Sequence, residues 1–253
     1  MKLTRTARTA LVAAAAVGLV GIGLGAPAEA VTKRTTVVIV ESNALTSLNP
    51  STPDTNLVTN SNIAYFTGMG FAYYDNAPKL VRNTTFGTFK IVKNTKTDFR
   101  VMYTVKPGRV WSDGTPITGV DLLLSHVLSS GAYSKAAGLG DPTNPDAVPS
   151  FYSGGYGGPY DSNVVGNPIL SKDKMSVTIR YKSFQPDWEI MGPGPSPVHT
   201  LVLMAQGKSA LQPLAANNAA KAAFLAAFNT KNTALLKKMG KIWSTNSIET
   251  NLE

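Results

Sequence analysis

The segment at residues 99–105 constrains the fold of this chain more than any other. Its apolar side chains Phe99, Val101, Tyr103 and Val105 recur at every second position. A period of two predicts a β-strand with one buried face. The run KIVK at residues 90–93 predicts a second strand that pairs with the first across residues 94–98. The chain therefore places part of its core on an antiparallel hairpin.

Two turns and a helix are predicted directly after this hairpin. The run KPGR at residues 106–109 predicts a turn, because proline presets φ and glycine tolerates a positive φ. The run WSDGTP at residues 111–116 predicts a second turn. Thr118 stands three residues before an acid, and the apolar run LLLSHVL follows, which is a capping-box signature. Asp121 is therefore interpreted as a helix cap and not as a catalytic carboxylate.

The remaining segments show helix, strand and loop patterns. Residues 35–41 (TTVVIVE) predict a central strand covered on both faces, because they are β-branched and apolar almost throughout. Residues 175–182 alternate as the hairpin does and predict another half-buried strand. Helices are predicted at residues 63–74, 198–206, 215–228 and 234–243, and long loops at residues 42–62 and 131–167.

The composition excludes several classes of protein. The chain has 253 residues, is 43% hydrophobic and contains no cysteine. It can bury a real core, and its charge is too low for a disordered chain. A disulfide scaffold, a cysteine-ligated metal, a thiol nucleophile and a lipid-modified N-terminal cysteine are excluded.

The first thirty residues predict a secretory signal peptide. Lys2, Arg5 and Arg8 precede an apolar run at residues 11–25, and a small-x-small site ends at Ala30, where we expect cleavage. The alternative is an uncleaved anchor, but fifteen helical residues span only ~22 Å of a ~30 Å hydrocarbon core. Removal of this segment leaves a formal charge of +7. The basic residues are scattered along the sequence, which predicts a basic exported surface and no nucleic-acid partner.

Candidate chemistry is sparse in this sequence. A Ser/His/Asp arrangement could combine Ser112 or Ser125 with His126 or His199, but no Gly-x-Ser-x-Gly motif supports it. Neither histidine has metal-ligand spacing, and the oxygen-rich run at residues 141–146 is interpreted as a turn. The Tyr/Gly-rich run at residues 151–160 leaves two alternatives, a ligand-stacking loop or a plain surface loop. We predict no metal site and no cofactor.

Residues 98–128 resemble the signature region of the peptide/nickel family (family 5) of extracellular solute-binding proteins, which serve ABC importers. Shorter segments at residues 47–50 (SLNP), 63–75, 174–181 and 197–199 (PVH) resemble other family motifs in the same order. The resemblance extends over about residues 35–253. The positions that match the signature one by one are Trp111, Ser112, Asp113, Gly114, Thr115, Pro116, Thr118 and Asp121.

The resemblance implies an α/β fold, the N-terminal lobe of a clamshell of the type II periplasmic-binding-protein kind. The implied lobe has a mixed sheet with flanking helices and a smaller inserted β-rich subdomain. We expect a signal peptide at residues 1–30, the first part of the lobe at 31–60, the inserted subdomain at 61–170 and the second part of the lobe at 171–253. The chain is expected to be truncated before the second large lobe.

The implied function is that of the exported substrate-binding component of an ABC-type peptide uptake system. An extended peptide would lie in the interlobe cleft, and the partners would be the membrane permease subunits. The protein would be a monomer, not an enzyme and not a lipoprotein, in the periplasm or cell envelope. Two alternatives stay open, a truncated exported interaction protein that transports nothing and an exported hydrolase. The positions implied as ligand contacts are Asn56, Leu57, Val58, Thr59, Asn60 and Tyr133.

Overall fold

The computed structural model of this chain describes residues 38–144, 146–151 and 156–244. The predicted signal peptide lies outside the described residues. Contacts divide the chain into two units, Met1–Ser42 and Asn43–Glu253. In the first unit, the described residues 38–42 contain no helix or strand, so the predicted strand is wrong for residues 38–41. Val38 and Val40 are exposed there, and a β-branched pattern does not form a strand without a ladder of hydrogen bonds to hold it.

The described part of the second unit contains seven α-helices and six β-strands. A short 3₁₀ turn at Pro53–Thr55 precedes the first helix. The strands and helices, in chain order, are α1 Val58–Thr67, β1 Ala72–Tyr74, β2 Leu80–Arg82, β3 Gly87–Thr95, β4 Asp98–Val105, α2 Gly119–Ser129, α3 Gly131–Ala136, α4 Pro159–Asn163, β5 Ile169–Leu170, β6 Ser176–Tyr181, α5 Val198–Ala205, α6 Leu214–Thr230 and α7 Thr233–Ser244.

A four-stranded antiparallel sheet forms around the predicted hairpin. Its strand order is β3-β4-β6-β5. Phe89 pairs with Tyr103 between β3 and β4, and Tyr103 pairs with Val177 between β4 and β6. In β4 the side chains of Phe99, Val101 and Tyr103 are buried, as the period of two predicts. The hairpin and the strand predicted at residues 175–182 are confirmed.

Residues 63–74 do not form the single helix that the sequence predicts. Helix α1 begins and ends earlier, at Val58 and Thr67, and the Gly68 N–H then donates to Ala64 O at 2.7 Å. After this cap the chain forms β1, because the aromatic pair Tyr73-Tyr74 favours a strand. Strand β1 pairs with β2 alone, in a separate two-stranded sheet.

The hydroxyl of Tyr65 on α1 holds the free side of β1. It donates to Tyr74 O at 3.0 Å and accepts from Tyr74 N–H at 3.2 Å. One side chain thereby satisfies both backbone groups of a strand residue that would otherwise face outward without a partner strand.

Helix α2 joins the sheet to the helices that follow. It contacts β4 and β6 on one side and α5 and α6 on the other, and α5 packs against α6 and α7. The last three helices agree with the predictions for residues 198–206, 215–228 and 234–243 to within a few residues. The fold is α/β with flanking helices, as expected, and the strand pairings of the described sheets are antiparallel. The domain boundaries at residues 60 and 170 stay predictions.

No helix within residues 38–144, 146–151 and 156–244 combines the length and the apolar character that a membrane crossing needs.

Candidate functional site

The candidate site is built on the turn that leads from β4 to α2. Gly108 and Gly114 have φ angles of +80° and +83°, which glycine adopts without strain. The Trp111 N–H donates to Thr115 O at 2.9 Å, and the Gly114 N–H donates to Trp111 O at 2.9 Å. The Thr115 N–H also donates to Asp113 Oδ1 at 2.9 Å. The predicted turn at residues 111–116 is confirmed, and it holds the Asp113 carboxylate in one direction.

Asp113 ties this turn to two later helices. Its Oδ2 accepts from His199 Nε2 on α5 at 3.0 Å and from Asn217 Nδ2 on α6 at 3.0 Å. The same Asn217 amide donates to Thr115 Oγ1 at 2.8 Å. Because His199, Asn217 and Thr115 are buried, these bonds act in a low dielectric and hold the turn firmly against α5 and α6.

The ionisation of this pair follows from its surroundings. Burial alone would raise the pKa of Asp113, but hydrogen bonds from Thr115 and His199 outweigh it and hold the pKa below its ordinary value. Burial lowers the pKa of His199 more than the nearby Asp113 raises it. Asp113 is therefore ionised and His199 neutral at neutral pH. A carboxylate only accepts, so the proton of His199 is on Nε2.

The predicted helix cap of α2 is confirmed, and it carries a partner that the sequence did not reveal. The Thr118 N–H donates to Asp121 Oδ2 at 2.7 Å, and the Val120 N–H donates to Thr118 Oγ1 at 3.3 Å. Lys221 Nζ on α6 donates to Asp121 Oδ2 and to Pro116 O, each at 2.6 Å. Burial raises the pKa of the Asp121 carboxyl, and the Lys221 charge opposes that rise. The turn at residues 111–116 is thus held by buried polar contacts from Asn217 and Lys221 of α6.

An open cleft of about 320 Å³ lies beside the turn. Three segments that the sequence resemblance singled out meet there: Leu48 of residues 47–50, residues 111–113 of the turn, and Pro197 with His199 at the start of α5. The end of α1, at Thr67 and Gly68, forms another part of the wall. These separated motifs therefore share a surface at this cleft.

The cleft is mostly apolar and has a single formal charge. Among the described residues that line it, only Asp113 is ionised, while Trp111 and Leu211 contribute apolar surface. Such a lining fits an apolar group that carries a cationic or hydrogen-bond-donating edge. It offers no nucleophile-and-base pair, because His199 donates to Asp113 and its other ring nitrogen, Nδ1, is buried without a partner among the described residues.

The segment at residues 56–60 divides into an exposed part and a buried part. Asn56, Leu57 and Val58 are exposed at the start of α1, where a ligand can reach them. Thr59 and Asn60 are buried. The five positions stay predictions as ligand contacts, and the first three have the accessible surface that the role requires.

Asn60 braces the loop that carries Leu48. Its Oδ1 accepts from the Thr46 and Ser47 N–H groups at 3.0 and 3.3 Å. Its Nδ2 donates to Thr46 Oγ1 at 2.9 Å and to Thr55 O at 2.8 Å. All of these bonds are internal, so Asn60 positions the wall of the cleft and has no free polar group for a ligand.

Tyr133 does not face a ligand surface, which corrects its assignment as a contact. Its side chain is 2% exposed, and its ring stacks on Phe228 with centroids 4.9 Å apart. Its hydroxyl donates to Phe228 O at 2.8 Å. The position after a capped helix gave no information about this packing, because Phe228 lies on α6, far along the chain.

The second histidine lies in an aromatic part of the core. His126 Nδ1 is 2.8 Å from the Tyr160 hydroxyl, and burial lowers the pKa of His126 to about 4. The Ser125 hydroxyl next to it donates to Gly194 O at 2.9 Å. Within the part of the chain that the structure describes, neither histidine ring hydrogen-bonds a serine hydroxyl, so the geometry does not favour the hydrolase alternative.

The aromatic run at residues 151–160 packs inward where the structure describes it. Phe151 is buried, and the Tyr156 hydroxyl donates to Val127 O at 3.0 Å. Residues 152–155 lie outside the described residues. The described rings of this run stabilise the core and do not form an open stacking surface.

Residues 38–144, 146–151 and 156–244 contain no cluster of histidine and acidic side chains that could hold a metal ion. In the oxygen-rich run, Asp141 accepts from the Thr143 N–H at 3.0 Å and pairs with Lys135 at 2.6 Å, which agrees with the predicted turn.

No family model matches this sequence, and no curated protein is similar to it by sequence. Among solved structures, a periplasmic EDTA-binding protein, EppA, is similar over 66% of this chain, with 15% identity and a TM-score of 0.48. The oligopeptide-binding protein from Thermus thermophilus, complexed with a pentapeptide, is similar over 71% of this chain, with 18% identity and a TM-score of 0.36. The aligned region covers 27% and 29% of those two chains.

Proposed function

We propose that this chain is the substrate-binding component of an ABC-type peptide importer and that it binds an extended peptide without catalysing a reaction. The observation that carries the proposal is the convergence of three separated motifs on one cleft. Leu48, Asp113 and His199 come from three segments that resemble the peptide/nickel family, and they line the same cleft. Sequence-distant segments that meet at an open, mostly apolar concavity are typical of a binding site.

Helix α1 supplies a path for an extended ligand. Its ten residues rise ~14 Å from the exposed Leu57 and Val58 to Thr67 at the cleft. A peptide of four or five residues, at ~3.3 Å per residue, spans the same length. In this proposal the peptide backbone contacts residues 56–58, and one end of the peptide enters the cleft. The Asp113 carboxylate then faces an ammonium group or another donor, and Trp111 packs against an apolar side chain.

The proposal includes export and transfer to a permease. The predicted signal peptide at residues 1–30 supports export, with cleavage after Ala30 and a mature chain that begins at Val31. Intact-mass measurement of exported material tests the cleavage, and material that begins at Met1 would contradict it. The proposed partners are membrane permease subunits, which would bind the closed, ligand-bound form of the receptor. The receptor itself would be a monomer.

The test of function is peptide capture by the purified full chain. A defined pool of tetra- and pentapeptides is mixed with the protein, and native mass spectrometry identifies retained peptides before calorimetry measures their Kd. Thr67→Trp places a large side chain in the wall of the cleft, and we expect it to weaken capture at least about tenfold, by loss of the space for the ligand.

Thr230→Trp is the matched control for this variant. Thr230 ends α6 as Thr67 ends α1, both are exposed, and each hydroxyl donates to the carbonyl four residues earlier, at 2.8 and 2.9 Å. We expect the control to bind peptides as the wild type does. A wild-type chain that retains no peptide would overturn the function, and equal binding by the two variants would move the site away from this cleft.

A further inference from the structure

The four-stranded sheet and the turns beside it contain most of the net positive charge of the protein. Residues 87–106 and 169–182 contain nine basic residues against two aspartates, a net charge of +7, whereas the whole chain has +9. The sequence predicted that basic residues are scattered singly. In the fold, four of these nine lie on strands of the sheet, and the other five lie in its turns or directly after its strands. The nine basic residues are Lys90, Lys93, Lys96, Arg100, Lys106, Lys172, Lys174, Arg180 and Lys182.

The strand period places several of these groups on the outward face of the sheet. Phe89, Val101 and Ile179 are buried on the inward face, so their neighbours Lys90, Arg100 and Arg180 point the other way. Lys93 pairs with Arg100 between β3 and β4, and Arg100 pairs with Arg180 between β4 and β6. A row of three cationic side chains therefore crosses three adjacent strands.

Asp98 holds this row together. Its carboxylate contacts Lys93 Nζ at 2.7 Å, Arg100 Nη2 at 2.8 Å and Arg180 Nε at 3.1 Å. The Asp98 side chain is 9% exposed, while those of Lys93 and Arg180 are 46% and 43% exposed. One anion thus orients three cations, two charges remain uncompensated, and the cationic groups stay accessible to a partner.

The chemistry of this face favours a phosphate-bearing surface. Arginine and lysine side chains are the usual ligands of phosphate groups, and Arg100 and Arg180 lie side by side. The described outward-facing positions of β3, β4 and β6 include no aromatic ring, so single-stranded nucleic acid has nothing there on which to stack. A sheet face with side chains from three strands fits a broad surface of phosphates.

We propose that the outward face of this sheet docks the protein on the anionic phospholipid surface of a membrane. Each basic residue close to such a surface adds to the attraction, which acts over about one Debye length. The proposal does not depend on peptide binding. It also fits an importer subunit, because docking would keep the receptor beside a membrane-embedded partner.

The test is sedimentation of the full chain with lipid vesicles. Vesicles of phosphatidylcholine alone are compared with vesicles that also contain phosphatidylglycerol, at low and at high salt. We expect binding only to the anionic vesicles, and its loss at high salt. Lys90→Gln, Lys93→Gln and Arg180→Gln combined should weaken vesicle binding by about 100-fold, since three charges leave the face.

Three exposed lysines of α7 and the turn before it provide the matched control. Lys231→Gln, Lys237→Gln and Lys238→Gln combined remove the same charge and should leave vesicle binding within about threefold of the wild type. In the double variant Lys90→Gln/Lys93→Gln, Arg100 and Arg180 keep their contacts with Asp98. This variant therefore tests the loss of vesicle binding with less disturbance of the sheet.

Two outcomes would overturn the proposal. The first is wild-type protein that does not bind anionic vesicles, and capture of soluble polyphosphate or oligodeoxythymidine by that protein would then assign the face to another phosphate-bearing partner. The second is an equal loss of vesicle binding in the two triple variants. A selective loss in the sheet variants alone supports it.

Discussion

The buried pair of Asp121 and Lys221 and the exposed cluster around Asp98 use the same kinds of charge in opposite surroundings. Lys221 on α6 is 8% exposed and donates to Pro116 O and to Asp121 Oδ2. Lys93 is 46% exposed and shares its carboxylate with two arginines. If one partner of the buried pair is removed, the other is left as an uncompensated charge without water. If one cation of the exposed cluster is removed, water solvates the groups that it contacted. The first should therefore govern stability and the second surface attraction.

The largest effect is expected from Lys221→Met. The change leaves the Asp121 carboxylate buried without its cation, so we expect a loss of about 3–5 kcal/mol in the free energy of unfolding. Urea denaturation followed by circular dichroism measures it. Lys238→Met, at an exposed lysine of α7, is the control and should change the unfolding free energy by less than about 0.5 kcal/mol. Equal losses of unfolding free energy in the two variants would show that the buried pair contributes no more to stability than an exposed lysine does.

The next effect concerns pH and the buried His126. Burial lowers the pKa of His126 from 6.5 to about 4. As the pH falls below 6.5, His126 therefore binds a proton in the unfolded chain but stays neutral in the folded chain. The folded state therefore loses up to about 3 kcal/mol between pH 6.5 and pH 4 through this residue. His126→Gln should flatten the fall in the unfolding free energy, measured by urea denaturation across that range.

Asp98→Asn provides the contrast within the same pH range. Hydrogen bonds from Arg100 and Lys93 hold the pKa of Asp98 far below its ordinary value, so its stabilising contribution is complete above that ordinary value and is lost only at lower pH. The slope between pH 6.5 and pH 4 should match that of the wild type. A slope that His126→Gln leaves unchanged would assign the proton uptake elsewhere, for example to His199, whose pKa burial also lowers.

The smallest effect on folding, and a gain in binding, is expected from the same Asp98→Asn variant at neutral pH. Its thermal midpoint should stay close to that of the wild type, because the three cations it contacts reach solvent. Removal of the single anion raises the charge of the face by one, so binding to anionic vesicles should tighten about fivefold. Vesicle sedimentation measures it, and weaker binding would mean that orientation by Asp98 matters more than charge.

Local patterns predicted the parts of the fold that local physics controls. The hairpin follows from a period of two in β4, and the start of α2 follows from the spacing of Thr118 and Asp121. Both signals depend on residues within a few positions of one another. The sequence could also predict the turn at residues 111–116, since its glycine and proline fix the backbone locally.

The contacts that build the candidate site depend on residues about a hundred positions apart, and no local pattern reports them. Lys221 and Asn217 on α6 bond Asp121 and Asp113 in the signature segment. The sequence held one signal for these contacts, which is the single lysine, Lys221, in the alanine-rich helix α6. A lysine that is buried among small apolar residues needs a polar or charged partner. Tyr133 failed as a ligand contact for the same reason, because Phe228 comes from a distant helix.

The Tyr65 hydroxyl on the free side of β1 has a consequence for self-association. Strand edges with unpaired backbone groups recruit other chains, and β1 is a short aromatic strand at the surface. By bonding both the N–H and the C=O of Tyr74, this hydroxyl makes these two groups unavailable to an incoming strand. The Tyr65 hydroxyl therefore opposes aggregation through β1. Burial of the apolar surface in this region would by itself favour such aggregation.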